Sequence, residues 1–164
     1  IGNQIWMGEN LNYGSYLREN SSSSQYQNGA QKFCYDNNTL NCDSQGGLYQ
    51  WHTAMALSKS CGDGSKSCVS QISNRNHQGI CPSGWHVPTD GEFTQLTDFL
   101  GGETVAGYAM KSTTGWNDIN GDFSGNGSNS SGFNGLPGGL NTGYWNDASL
   151  KGYWWSSSVP ASSF

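Results

Sequence analysis

The chain has 164 residues, a formal net charge of −5, and only 12% charged residues. That length suits one domain burying roughly 70% of its unfolded surface. The sparse, net-acidic charge excludes the clustered Lys and Arg that a phosphate backbone requires, so no nucleic-acid partner is expected. No apolar run approaches the ~20 residues of a membrane span. Hydrophobic residues make up 34% of the chain and Gly numbers 24, a composition near that of disordered chains. The 7 Trp, 8 Tyr and 6 Phe reverse that reading, because each ring buries a large area and a few can anchor a loop-rich core.

In chain order, IGNQIWMGENLNY (1–13) alternates Ile1, Asn3, Ile5 and Met7, which reads as a strand end followed by a turn. Residues 14–46 are rich in Ser, Asn and Gln and read as a long loop, tied at its far end by Cys34 and Cys42. GGLYQWHTAMAL (46–57) predicts a first helix, with Leu48, Trp51 and Met55 on one apolar face. Residues 58–78 form a second polar loop with CGDGSKSC at its tip.

The clearest helix follows CPSGWHVP. Thr89 and Glu92 form a T-x-x-E capping box, Phe93, Leu96 and Leu100 mark the buried face, and Gly101 and Gly102 end the helix. Residues 112–150 are Gly, Asn and Ser with aromatics placed along them. An irregular stretch of that length in a compact domain is a functional loop or disorder, and the aromatics favour an ordered loop. GYWWSSS (152–158) then reads as a strand. The chain starts at Ile1 without an initiator Met or a leader, so the expectation is a processed, trimmed or partial chain.

The five cysteines stand at 34, 42, 61, 68 and 81. In a low-charge, Ser/Asn/Gly-rich and aromatic-rich chain they point to export and to disulfides, hence to a secreted or outer-surface location. Zinc would need a Cys-x2-Cys knuckle or close Cys/His pairs, and there are none. The spacings suit the disulfides Cys34–Cys42 and Cys61–Cys68. Cys81 is left over, either as a free thiol or with a missing partner.

These segments carry a resemblance. IGNQIWMGENLNY (1–13), GGLYQWHTAMAL (46–57), GICPSGWHVPTDGEF (79–93), SGFNGLPGG (131–139) and YWWSSS (153–158) make the chain similar to the Fibrobacter succinogenes major paralogous domain, a bacterial exported module similar to the C-type lectin-like fold. The resemblance implies one α+β domain over 1–164: two helices, short antiparallel strands and long ordered loops, disulfide-stabilised. Family members usually carry a strand before IGNQ and a final Cys-bearing strand after Trp-Ser-Ser, and neither is present. The resemblance therefore implies that Cys81 bonds a Cys absent from this chain, and that the sheet is completed either by flanking residues or by a strand from a neighbouring subunit.

Catalysis is not expected. Cys81 and His86 are separated by Pro82 and a turn, and no further acid or base accompanies them, so Cys81 reads as a structural thiol, Trp85 as a core anchor and His86 as a satisfied strand residue. His52 and His77 share no ligand spacing with it. No carboxylate pair is placed for glycoside hydrolysis. Asp118, Asn120 and Asp122 alternate as ligands do in calcium loops, so calcium is the one candidate cofactor; the competing reading is an Asx-turn-rich loop. Trp-Asn-Asp occurs at 116–118 and again at 145–147, and resembles a motif of sugar-binding C-type lectins. The candidate ligand residues are Trp116, Asn117, Tyr144, Trp145, Asn146 and Asp147, with Phe123 and Tyr153 as further stacking candidates, against the alternative of a loop mini-core.

Two functions follow. The first is a non-catalytic, cell-surface module that binds a glycan or surface protein and mediates adhesion through the 112–150 loop. The second is a structural subunit of an extracellular filament or homo-oligomer, completed by strands from its neighbours. The Ser tracts at 21–24 and 156–158 are candidate glycosylation sites.

Overall fold

A computed structural model describes residues 1–19, 29–61, 66–72 and 76–159. The Ser tract at 21–24 and the 62–65 tip of the second loop lie outside the described residues. The architecture is mixed helix and strand. Two short strands, β1 (Ser15–Tyr16) and β2 (Gln31–Lys32), precede the helical segments α1 (Thr39–Gln45), α2 (Trp51–Ala54), α3 (Lys66–Val69), α4 (Asp90–Phe99) and α5 (Glu103–Met110). The hairpin strands β3 (Gly138–Asn141) and β4 (Trp145–Ala148) follow. β3 and β4 are antiparallel, but β1 and β2 pair in parallel, which corrects the expectation of antiparallel strands throughout.

The two expected helices fare differently. At α4 the local signal suffices. The Thr89 hydroxyl accepts the Glu92 amide and the Glu92 carboxylate accepts the Thr89 amide, so the capping box forms as read. Leu96 is fully buried, with Phe93 and Leu100 half-buried beside it. Gly101 and Gly102, at φ near +100°, turn the chain out of α4, and the Gly102 carbonyl then accepts the Val105 and Ala106 amides to start α5.

The helix expected over 46–57 shrinks to the four residues of α2. Its front half is extended, because Leu48 exchanges backbone hydrogen bonds with Phe33 in an isolated bridge. Two helices lie where loops were expected: α1, capped by the Asn38 side chain, inside 14–46, and α3 inside 58–78; α5 follows the glycines in a stretch for which no element was expected. Residues 1–13 begin in a turn rather than a strand, with Ile5 86% exposed. Residues 152–158 run extended without a ladder partner among the described residues; Ser157 holds them, its amide donating to Pro88 O and its hydroxyl to Val87 O.

Both expected disulfides form, Cys34–Cys42 with a Cα separation of 5.0 Å and Cys61–Cys68 with 5.7 Å. Cys81 is a free, half-buried thiol. One core cluster gathers Ala54, Met55, Ile72 and Val87, with Tyr49, Trp51, Cys81 and Val159 packed on it. A second is a line of rings: Phe93 to Trp6 at 5.2 Å, Trp6 to Phe133 at 5.7 Å, and Phe133 to Trp154 at 5.6 Å. Spacings in this range suit edge-to-face and offset ring contacts. This line ties α4 to the late extended segment.

The capping box yields a first prediction. Burial pushes the Glu92 carboxyl up, but the Thr89 amide, His86 and the Thr89 hydroxyl together outweigh it and hold the pKa below the usual 4.5. A depressed carboxyl stabilises the fold above its unfolded pKa and loses that contribution as pH falls through the folded value. Glu92→Gln is therefore expected to cost about 0.5–1 kcal/mol near neutral pH, with the deficit vanishing at acid pH. Urea titrations of both proteins from pH 7 down to pH 3 check it.

Candidate functional site

The segment after β4 brings distant parts of the chain around one open groove of about 870 Å³. One wall is the end of α1 with the non-helical stretch 46–50, another is β3 with its turn to Gly143, and the rim carries Tyr153, Trp154 and Trp155. Cys81, Val87 and Pro88 close the floor beside the core cluster.

The walls are built by close approach. Gly46 has φ +86°, and a Cβ there would sit 2.4 Å from Asn10 Cβ, so only glycine lets the 10–11 segment lie against this wall. Asn10 then bridges: its amide donates to Gln45 O at 2.8 Å, and its carbonyl oxygen accepts Trp154 Nε1–H at 3.0 Å. Trp155 Nε1 donates to Tyr49 O at 2.8 Å. Both indoles are thus fixed in orientation while their rings stay 39% and 49% exposed. Tyr49 sits between the walls, its hydroxyl donating to Tyr13 O and accepting the Tyr13 amide, both at 2.8 Å. Burial, set against the Tyr13 hydrogen bond that favours ionisation and reinforced by the nearby Cys81, pushes the Tyr49 pKa up to about 12. Burial also pushes the Cys81 thiol up, which leaves it a poor nucleophile near neutral pH.

Of the residues picked from sequence, Tyr153 stands on this rim, and the others whose side chains are described lie elsewhere. Trp116 is not a ligand platform: it is buried, and its Nε1 donates to Ser112 Oγ and Gly135 O, both at 3.0 Å, with Lys111 Nζ 4.6 Å from the ring centre. Asn117 Oδ1 is buried without a hydrogen-bond partner among the described residues. Trp145 packs its ring on Tyr35 at 5.3 Å, and Asn146 donates to Tyr144 O. Tyr144 is 80% exposed at the hairpin turn. The Asp147 carboxylate accepts Tyr153 Oη–H at 2.5 Å and Lys151 Nζ at 3.2 Å; these bonds, the tyrosine's first, hold its pKa below the usual carboxylate range. β4 pairs with β3 and does not line the groove. The Phe123 side chain lies outside the described structure.

At the candidate calcium loop, Asp118 accepts the amides of Asn120 and Asp122 at 2.8 and 3.1 Å, the Ser124 hydroxyl at 3.1 Å and the Asn120 side chain at 3.4 Å. These bonds, the Asp122 amide's first, hold its carboxyl below the usual range. The arrangement is an Asx turn, and a cation would have to displace donors already in place. No group of three or more His, Cys, Asp or Glu able to hold a metal occurs among the described residues.

The expected Cys81–His86 neighbourhood also resolves. His86 Nε2 lies 2.8 Å from Glu92 Oε1, away from any thiol chemistry. Trp85 is exposed rather than a core anchor, since it stands in the turn after Pro82. His52 is buried on α2, and burial, followed by the nearby Lys59, lowers its pKa. His77 Nε2 is 2.8 Å from Met55 O.

The sequence model of the Fibrobacter succinogenes major domain matches residues 1–163. The chain belongs to the Fibrobacter succinogenes major domain family. No curated protein and no solved structure gives a significant match. For this member of the family, the segments that carried the resemblance (1–13, 46–57, 79–93, 131–139 and 153–158) are also the ones that supply most of the groove. The signal that could have found the site is the run Tyr153-Trp154-Trp155, three adjacent rings that one half-buried face cannot all accommodate.

Proposed function

We propose that this domain is a non-catalytic, extracellular glycan-binding module, and that the groove takes the glycan. The observation that carries the reading is the rim: Tyr153, Trp154 and Trp155 are half-exposed yet anchored, two of them through hydrogen bonds of their indole N–H groups. Fixed rings with open faces suit stacking on pyranose rings, because little side-chain entropy remains to be lost on binding. The side-chain amides of Gln45 and Gln50 border the same groove without intramolecular partners among the described residues, ready to meet sugar hydroxyls. The two disulfides support export to an oxidising compartment. The C-type lectin-like assignment belongs to the same proposal; the capped helix, the ordered 112–150 loop and the disulfide-closed loops support it.

The test is an array of plant and bacterial polysaccharides, probed with and without calcium. Trp155→Ala is expected to weaken binding at least ten-fold, while Tyr144→Ala, at the hairpin tip outside the groove, changes it less than two-fold. Retention by no glycan would remove the reading.

A second reading, a subunit completed by its neighbours, is favoured by β3. β4 is its sole ladder partner among the described residues, and β3 lines the groove along its length. A strand from a second copy could add there. Analytical ultracentrifugation of the native protein separates the two, since strictly monomeric behaviour would exclude it.

A further inference from the structure

We infer that the groove discriminates between polysaccharides by charge, taking neutral chains and rejecting anionic ones, with Glu19 setting the discrimination. The inference rests on the reading of the groove as a glycan site. Among the described residues, no Lys, Arg or His lines it, and Glu19 is its sole charged residue. The Glu19 carboxylate has no intramolecular partner to neutralise it among the described residues, whereas its backbone amide is fixed by Asn37 Oδ1 at 2.8 Å. The chain as a whole carries −5, so the field outside the groove has the same sign as the field within.

A uronate or sulfate entering such a groove gives up part of its hydration and finds no cation among the described lining residues, and it approaches a like charge across apolar walls where screening is weaker than in bulk water. Neutral hydroxyls meet the reverse situation. The amides of Gln45 and Gln50 and the faces of Tyr153 and Trp155 are all uncharged partners. Charge thus acts here as rejection of the wrong ligand more than as attraction of the right one.

Cys81 provides the readout. It lines the groove and is the one cysteine of five outside the two disulfides, so an occupant that fills the groove shields it from N-ethylmaleimide. Because burial raises its pKa, alkylation is followed at pH 9. The probes are matched pairs on one backbone: hydroxyethylcellulose against carboxymethylcellulose, and arabinoxylan against glucuronoxylan. The expected result is that the neutral member of at least one pair slows Cys81 alkylation and binds ten-fold or more tightly than its anionic partner. Glu19→Gln is expected to narrow that gap at least three-fold at low salt. Equal or tighter binding of the anionic member, or a gap unchanged by Glu19→Gln, would overturn the inference and leave the glycan reading standing. Neither binding nor protection by any polysaccharide would remove the glycan reading and this inference together.

Discussion

Met55→Ala is expected to lower the stability of the domain by roughly 2–5 kcal/mol. Met55 is completely buried and is the largest side chain in the cluster of Ala54, Ile72 and Val87. The cluster and the side chains packed on it come from well-separated parts of the chain: the stretch 49–57, Ile72, Cys81 with Val87, and Val159. The backbone beside Met55 is held in place, which limits collapse into the space. The Val87 amide is held by His77 O, and Ile80 N by Ala54 O. Gly79 already presses so close to the Ala54 carbonyl that an added Cβ would stand 2.2 Å from it. A cavity is therefore left largely open, which puts the cost toward the upper part of the range. Domains of this kind hold only about 5–15 kcal/mol in total, so the change removes a large share of it. Ile5→Ala, at an 86% exposed position, serves as the control and should stay within about 0.5 kcal/mol of the parent. Urea denaturation followed by Trp fluorescence measures both; a midpoint shift for Met55→Ala no larger than for Ile5→Ala would show that this cluster is not the structural centre.

What could be read from the sequence was whatever a few neighbouring residues decide among themselves. Thr89 and Glu92 satisfy each other's backbone three residues apart, so the start of α4 was legible to the residue. Cys34–Cys42 and Cys61–Cys68 close loops of eight and seven residues, and such spacings leave few alternatives. Where a distant segment decides, the sequence was silent or misleading. Leu48 has helical spacing to Trp51 and Met55, yet Phe33 claims its backbone and the helix starts later. α5 contains Thr104, Val105 and Gly107, poor helix formers, and leaves Val105 and Tyr108 exposed, so no apolar stripe marks it. β3 begins Gly138-Gly139 and becomes a strand only through β4. The groove is the extreme case. Its walls join residues as far apart as Asn10 and Trp154, and its polar character comes from which amides remain unpaired after folding. Trp116 and Trp145 look alike beside Asn and Asp in sequence; one is buried under Lys111 and the other half-buried on Tyr35, and only packing separates them.

Removing the Cys34–Cys42 bridge with the pair Cys34→Ala and Cys42→Ala is expected to cost roughly 2–3 kcal/mol, from the closure entropy of a loop of this length in the unfolded chain. The loss should not stay local. The bridge spans a turn in which Asp36 and Asn37 both adopt left-handed backbone, at φ 54° and 53°, a conformation that Asp and Asn tolerate but do not prefer. That turn carries Tyr35, and α1 carries Asn41 and Gln45, all of which line the groove. Tyr35 also supports the hairpin, through its ring contact with Trp145 and its approach to Gly139. Without the bridge the turn can relax and the wall behind β3 loses its backing, so glycan binding should weaken along with stability. The bridge Cys61–Cys68 provides the comparison. It closes a loop one residue shorter and should contribute a similar entropy, but neither of its cysteines lines the groove. Cys61→Ala with Cys68→Ala is therefore expected to melt at a similarly reduced temperature and still to bind as the parent does when assayed well below that temperature. Measured side by side, a binding loss confined to the first pair assigns the Cys34–Cys42 bridge to the groove wall. An equal loss in both would mean that binding merely follows global stability.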